Sequence, residues 1–378
     1  MTELLSRARS LTELIEQEAA RSEADATLSP VVVDALQRAG LFGLMAPKEL
    51  GGEEADLPTV LEVYEEVCRA DGSTGWSLLA NATTTAFAGA YTGREAVEDM
   101  FGGPTMPVHA GQFSPRGTAV RVDDHFVISG TYSFGSGSGH AGWIGGGALE
   151  LLDGELLMSP AGAPVIRAFF VPRDRVTFLG NWDVMGLAGT GSYDYEVPEQ
   201  DVGEAYTFNL IEAPPQRGGP VYRLGVLGLT AAGHAGFALG VGKRALEELT
   251  RIVQTKHRLG AEPLREQQLF RHDYAMNDAA LRSARAFVFE VFADAQLTLE
   301  AGNDPTVEQR QRLRQATTYA TRVAADEVRF TYTAAGTDAL RPGVLQRCFR
   351  DIHASTQHLV VDNNTLTETA RVLLERTS

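Results

Sequence analysis

The hydrophobic period of this chain changes twice, and the two changes fix the order of its layers. Up to about residue 103 the apolar residues recur at the spacing of helices with one buried face. Ser29-Pro30 offers an N-cap and a proline for a first turn, and Gly40 follows as a stop signal. Leu57-Pro58 opens another helix, with Val60, Leu61, Val63, Tyr64 and Val67 as its stripe and Gly72 at its end. Ala- and Thr-rich sequence from Trp76 to Tyr91 continues the pattern. Near Gly102-Gly103-Pro104 the period becomes that of strands. Val120–Val122, Asp123-Asp124 and His125–Ser129 read as strand, turn and strand, and Val165–Val171 and Tyr193–Val197 as further strands. After the linker Ala213–Pro220 the helical period returns over 221–258, 263–298, 306–335 and 345–376, with Gly or Pro between segments. The expectation is an α+β chain: a helical domain over 1–103, a β domain over 104–212 and a helical bundle over 213–378.

Within the β domain, Gly130–Trp143 (GTYSFGSGSGHAGW) is a Gly-dense turn after the hairpin. Glycines at 135, 137 and 139 let backbone N–H groups approach a flat polar molecule, and Ser136 and Ser138 add hydroxyls. It is a poor dinucleotide fingerprint, because no βαβ unit surrounds it and the third glycine is missing. Metal chemistry has little support. His353 and His358 lie about 140° apart around a helix, and neither HExxH nor CxxC occurs.

Composition excludes several partners. A net charge of −16 argues against nucleic acid and anionic membrane. The two cysteines, Cys68 and Cys348, are far apart in sequence, which fits a reducing cytoplasm better than a disulfide framework. The N-terminus is amphipathic and acidic, unlike a signal or transit peptide. Leu224–Gly242 carries no formal charge and nears membrane-spanning length, but its Gly and Ala content and central His234 suit a buried helix.

The order of helices, β insert and helices is similar to that of the acyl-CoA dehydrogenase superfamily. Ala39–Gly52 and Arg258–Leu264, followed by Gln267-Gln268, resemble two of its segments. Four further stretches resemble its two-component flavin-dependent monooxygenase branch: Ala70–Trp76, Gly130–Trp143, Met185–Ser192, and Leu345–His353 followed by His358. The Tyr-Glu-Gly-Thr segment that commonly holds the dehydrogenases' catalytic glutamate is missing; Ala354–His358 stands in that region.

The resemblance implies an N-terminal helical domain, a middle β-sandwich or barrel and a C-terminal four-helix bundle. It implies reduced FMN or FAD delivered by a separate NAD(P)H:flavin reductase, dioxygen added at flavin C4a, and transfer of the distal oxygen of a C4a-hydroperoxyflavin to a small molecule. The expected substrate is an aromatic or phenolic compound to be hydroxylated, or an amine to be N-oxygenated. By the same resemblance Ser136 meets flavin N5, His358 faces the peroxide, Gly137, Thr190 and Ser192 line the flavin site, and Arg258 meets a flavin phosphate. Trp76 and His109 are the candidate substrate contacts. Each residue also has a plainer reading. Ser136 can satisfy its own turn, His358 can pair on a helix face with Asp351 and Asp362, Arg258 can face solvent, Trp76 can be core and His109 a loop histidine. His140 is taken as structural. Two alternatives remain: an acyl-CoA dehydrogenase with bound FAD and a carboxylate base, and a ligand-binding helical oligomer without catalysis. The apolar helix faces, and the superfamily's habit, imply a homotetramer or homodimer.

Overall fold

A computed structural model describes residues 2–256 and 262–375. The first layer is helical: α1 (Glu3–Ser10), α2 (Thr12–Ala24), α3 (Pro30–Arg38), α4 (Leu57–Ala70), α5 (Gly72–Tyr91) and α6 (Arg94–Phe101). Ser29 caps α3 as the sequence offers, and Asp56 caps α4. Ser29 accepts from the N–H of Val32 with Pro30 in the first turn, and Asp56 accepts from Thr59 N at 2.8 Å. Gly72 does not end α4, as expected from sequence, but begins α5. The break falls on Asp71, whose extended backbone turns the chain and whose carboxylate caps α5 by accepting from Thr74 N at 2.8 Å.

The middle layer is β1 (His109–Val122), β2 (His125–Gly135), β3 (Trp143–Leu152), β4 (Glu155–Leu156), β5 (Ile166–Pro172), β6 (Thr177–Phe178), β7 (Tyr193–Gly203) and β8 (Thr207–Asn209). They form one sheet in the order β6-β7-β2-β1-β3-β5-β8, with β4 paired to β3. β1 and β2 make the expected hairpin, in register from Val122 and His125 to Gly117 and Gly130. β3 was not legible. It is central, yet it carries Gly145, Gly146 and Gly147, which β-propensity disfavours. Packing explains them: a Cβ on Gly146 would sit 2.6 Å from the Phe169 ring.

The last layer is α7 (Gly225–Thr255), α8 (Gln268–Glu300), α9 (Val307–Ala335), α10 (Val344–Ser355) and α11 (Asn363–Leu374). α7 is the core helix of the molecule. The apolar stretch in and around it is 78% buried. Its small residues admit close neighbours: a Cβ on Gly236 would lie 2.6 Å from Tyr64 Cβ, and one on Gly233 3.0 Å from Leu79 Cβ. The fourth predicted helix, 345–376, is in fact two. α10 stops at Ser355, a single 3-10 turn covers Leu359–Val361, and Asp362 caps α11 by accepting from Asn364 N. The break contains no Gly or Pro, so sequence punctuation did not mark it.

Candidate active site

The site gathers where the turn after β2, the loop before β7, the start of α5, the middle of α7 and the break after α10 meet. Its centre is the Ser136 hydroxyl. The Trp76 indole N–H donates to Ser136 Oγ at 3.0 Å, and Ser192 Oγ donates to it at the same distance. Ser192 Oγ in turn lies 2.7 Å from Thr190 Oγ1, which donates to the carbonyl of Leu187 at 2.7 Å. Indole is a donor only, so one lone pair of Ser136 is always taken. When Ser192 also donates to Ser136, the Ser136 proton is free to point into the half-open space beside it. When Ser192 donates to Thr190 instead, Ser136 donates to Ser192 and presents a lone pair outward. The three hydroxyls therefore let Ser136 act as donor or acceptor without moving a heavy atom.

The loop that carries Thr190 and Ser192 is held from three sides. Asp351 on α10 accepts from Leu187 N at 2.6 Å, Ser73 Oγ accepts from Gly189 N at 3.2 Å, and Arg350 donates to Met185 O at 2.9 Å while pairing with Glu23. Leu187 sits in the left-handed region at φ 58°, a conformation that such anchors must hold. Burial, and then the charge of Asp71, push Asp351 up to about 7. The Asp351 carboxylate is spent on the loop, and the Asp71 carboxylate on capping α5.

Two imidazoles close the other side. His358 lies in the break after α10, where its Nδ1 accepts from Val360 N at 3.2 Å. This corrects the expectation that His358 lies on a helix face: neither Asp351 nor Asp362 pairs with it, because the helix ends three residues before it. Its ring is half-buried, with its centroid 5.8 Å from Trp76 and 4.1 Å from His234. Burial lowers its pKa to about 4, so the imidazole is neutral at ordinary pH. His234 on α7 is 3% exposed, edge-on to Trp76 at 4.9 Å, and its Nδ1 has no partner. Phe237, one turn along α7, meets the same indole at 5.0 Å.

Several expectations change. Gly137 does not offer its N–H to a ligand. That N–H donates to Thr190 O at 3.1 Å, and at φ 72° the residue packs so close to Asn81 that only glycine fits. Asn81 ties the turn together, donating to His109 O at 2.9 Å and pairing with His140 Nε2 at 2.9 Å, which keeps His140 structural. His109 is fully buried, with Nδ1 near Thr85 Oγ1 and Nε2 near Met100 Sδ at 3.3 Å each and its ring stacked on Phe101. It is a packed histidine, not a surface for substrate. Trp76 is both core and wall. Arg258 lies outside the described residues. Sequence reasoning missed His234, hidden in an apolar helix, and Phe134. Phe134 is 64% exposed, at φ 66°, with its ring against Trp182, and no residue type in its neighbourhood signals that conformation. It places an aromatic face two residues from Ser136.

A cleft of about 860 Å³ opens elsewhere, between the end of α7 and the start of α10, lined by Arg251, Lys256 and Arg341 among others. Among the described residues no cluster of metal-ligating side chains occurs.

Comparison with known proteins shows the family of the chain. Residues 3–101 match the acyl-CoA dehydrogenase N-terminal domain family and residues 232–363 its C-terminal domain family. The chain is 32% identical over 333 residues to an indole-3-acetate monooxygenase of Pseudomonas putida, covering 88% of this chain and 83% of the relative. The chain belongs to the flavin-dependent monooxygenase branch of the acyl-CoA dehydrogenase superfamily. The crystal structure of 3-HSA hydroxylase from Rhodococcus sp. RHA1 superposes with a TM-score of 0.90 over 99% of this chain and 97% of that one, at 24% identity. TdsC, a dibenzothiophene monooxygenase from Paenibacillus sp. A11-2, solved in a complex with FMN and indole, matches with a TM-score of 0.82 over 99% of this chain and 98% of that one, at 25% identity. The protein is therefore a flavin-dependent oxidoreductase with the helix–sheet–helix architecture expected from its sequence.

The residues fit a flavin ring on their own terms. Flavin N5 bears a hydrogen in the reduced form and a bare lone pair in the oxidised form. A hydroxyl that reverses between acceptor and donor, as Ser136 can, matches both. The exposed ring of Phe134, two residues from Ser136, offers an apolar face to such a ring.

Proposed function

We propose that this protein is the oxygenase component of a two-component system, receiving reduced FMN or FAD from a separate NAD(P)H:flavin reductase and hydroxylating an aromatic small molecule with dioxygen. One oxygen atom enters a substrate C–H bond, the other leaves as water, and the flavin ends oxidised. Reduced flavin, when bound, supplies two electrons and adds dioxygen at its C4a.

The protein's own residues do the rest. Ser136 holds the hydrogen at N5 and so slows the proton transfer that would release hydrogen peroxide. Ser192, Thr190 and Trp76 set the direction of the Ser136 proton. His358, neutral, faces the oxygen side as a hydrogen-bond partner. Trp76 and Phe237, both buried, keep water away. The observation that carries this reading is the convergence of Ser136 with two neutral imidazoles inside aromatic walls, while the neighbouring carboxylates, Asp71 and Asp351, serve the backbone. The dehydrogenase alternative needs a free carboxylate there. The relatives' indole-3-acetate, dibenzothiophene and indole are flat aromatics, which is the class such walls suit.

The test is product formation from a panel of phenols and indoles, with amines as a second panel, using chemically reduced flavin and isotopically labelled dioxygen. Label in the product supports the proposal. Hydrogen peroxide alone with every class contradicts it. A homotetramer or homodimer is part of the proposal, supported by exposed apolar residues on α8 and α9 such as Leu269, Met276, Leu297 and Tyr319. A monomer by light scattering would remove that part.

A further inference from the structure

Burying a histidine in the core helix is costly, and the surroundings do not repay it. α7 runs Ala231-Ala232-Gly233-His234-Ala235-Gly236, a stretch of small side chains pressed against α4 and α5, with His234 its one imidazole. At 3% exposure its Nδ1 touches neither solvent nor a protein partner, and an unpaired buried polar atom is among the expensive features of a folded chain. The ring does not point at random. It stands edge-on to Trp76 at 4.9 Å, the same indole whose N–H is bonded to Ser136, and its centroid is 4.1 Å from that of His358. A buried hydrogen-bonding atom left unpaired beside the Trp76 and His358 rings is the arrangement of a specificity contact: a site built to bond a polar group rejects the analogue that lacks it.

Resting on the oxygenase reading above, we propose that His234 is the specificity residue of the site, accepting the N–H or O–H borne by the ring of a flat, uncharged aromatic substrate. The aromatic walls hold the ring and the imidazole fixes which edge is turned inward. That sets the carbon presented to the oxygen side, where His358 stands.

The experiment is anaerobic calorimetric titration of the full-length protein with reduced flavin, using indole and its carbon isostere indene as probes. Wild type binds indole about tenfold or more tighter than indene, the worth of one bond to a buried polar partner. His234→Phe binds the two alike, and His234→Gln, which keeps a hydrogen-bonding group, retains a preference for indole. A merely structural role for His234 would weaken both probes together and leave their ratio unchanged. The proposal is overturned if wild type does not discriminate, if neither probe binds, or if His234→Phe keeps the wild-type ratio. Thermal melting of each variant shows that it is folded. The same samples mixed with dioxygen report separately on the oxygenase reading. Absence of any transient in wild type strikes that reading, whereas an unchanged binding ratio strikes His234 alone.

Discussion

Replacing Ser192 with alanine is the sharpest perturbation of the hydroxyl group around Ser136, because it changes the orientation of a proton without touching the ligand. In the orientation that receives the hydrogen at N5, Ser136 Oγ accepts from Trp76 at 3.0 Å and donates to Ser192 Oγ, 3.0 Å away, which turns its remaining lone pair outward. Ser192→Ala leaves the Trp76 bond and removes the other, so the Ser136 proton is no longer directed. The loss is one neutral hydrogen bond, about 1 kcal/mol, or about a fivefold faster loss of hydrogen peroxide from the oxygen-loaded flavin. Ser136→Ala removes the ligand contact itself and leaves the Trp76 N–H, on a residue 7% exposed, unpaired. Its effect is about 10–100-fold, in the range of a bond to a buried or charged partner. The double variant should match Ser136→Ala, because Ser192 then has nothing to orient. The assay is rapid mixing of each reduced-flavin complex with dioxygen, without substrate, reading the decay of the transient and the peroxide released. A Ser192→Ala effect as large on the Ser136→Ala background as on wild type would show that the two hydroxyls act independently and would refute the reasoning.

Other outcomes follow from the same geometry. His358→Ala should lower hydroxylation per flavin oxidised, with thermal melting little changed. Because burial holds this imidazole at about pH 4, coupling in wild type should show no histidine break between pH about 5.5 and 8.5. Asp351→Asn should keep the loop, since an amide oxygen can still accept from Leu187 N, whereas Asp351→Ala should loosen it and weaken reduced-flavin binding by about tenfold or more in equilibrium dialysis. Glu327 on α9 is 1% exposed with neither oxygen paired, and burial raises its pKa to about 9. Its native form therefore binds the proton more tightly than the unfolded chain, so stability is greatest below the unfolded pKa and falls as pH rises toward 9. Glu327→Gln should gain about 2–4 kcal/mol in urea unfolding near pH 7.5 and nothing near pH 4. An equal gain at both pH values would contradict the assignment.

The parts of the fold written in local chemistry were legible. Ser29, the Asp123-Asp124 hairpin and the proline tract at 213–220 each act through their nearest neighbours, so sequence reading placed them. β3 was not legible, because its glycines answer to Phe169 and Phe113 on other strands. The site divides the same way. Ser136, Thr190, Ser192, Trp76 and His358 were named by resemblance and do meet in space. Their bonding order was invisible, as was the helix break that frees His358 from Asp351 and Asp362. His234 looked like part of an apolar helix because its polarity matters only against Trp76 and His358, residues 158 and 124 positions away.

The central claim, that this site holds oxygen on reduced flavin long enough to deliver it, is tested most directly by rapid mixing of the protein–reduced-flavin complex with dioxygen while the flavin spectrum is followed. Wild type should give a long-lived transient, distinct from reduced and oxidised flavin, whose decay quickens when a suitable aromatic is present. Direct conversion of reduced to oxidised flavin, with no transient, would contradict the claim and return the weight to acyl-CoA dehydrogenation.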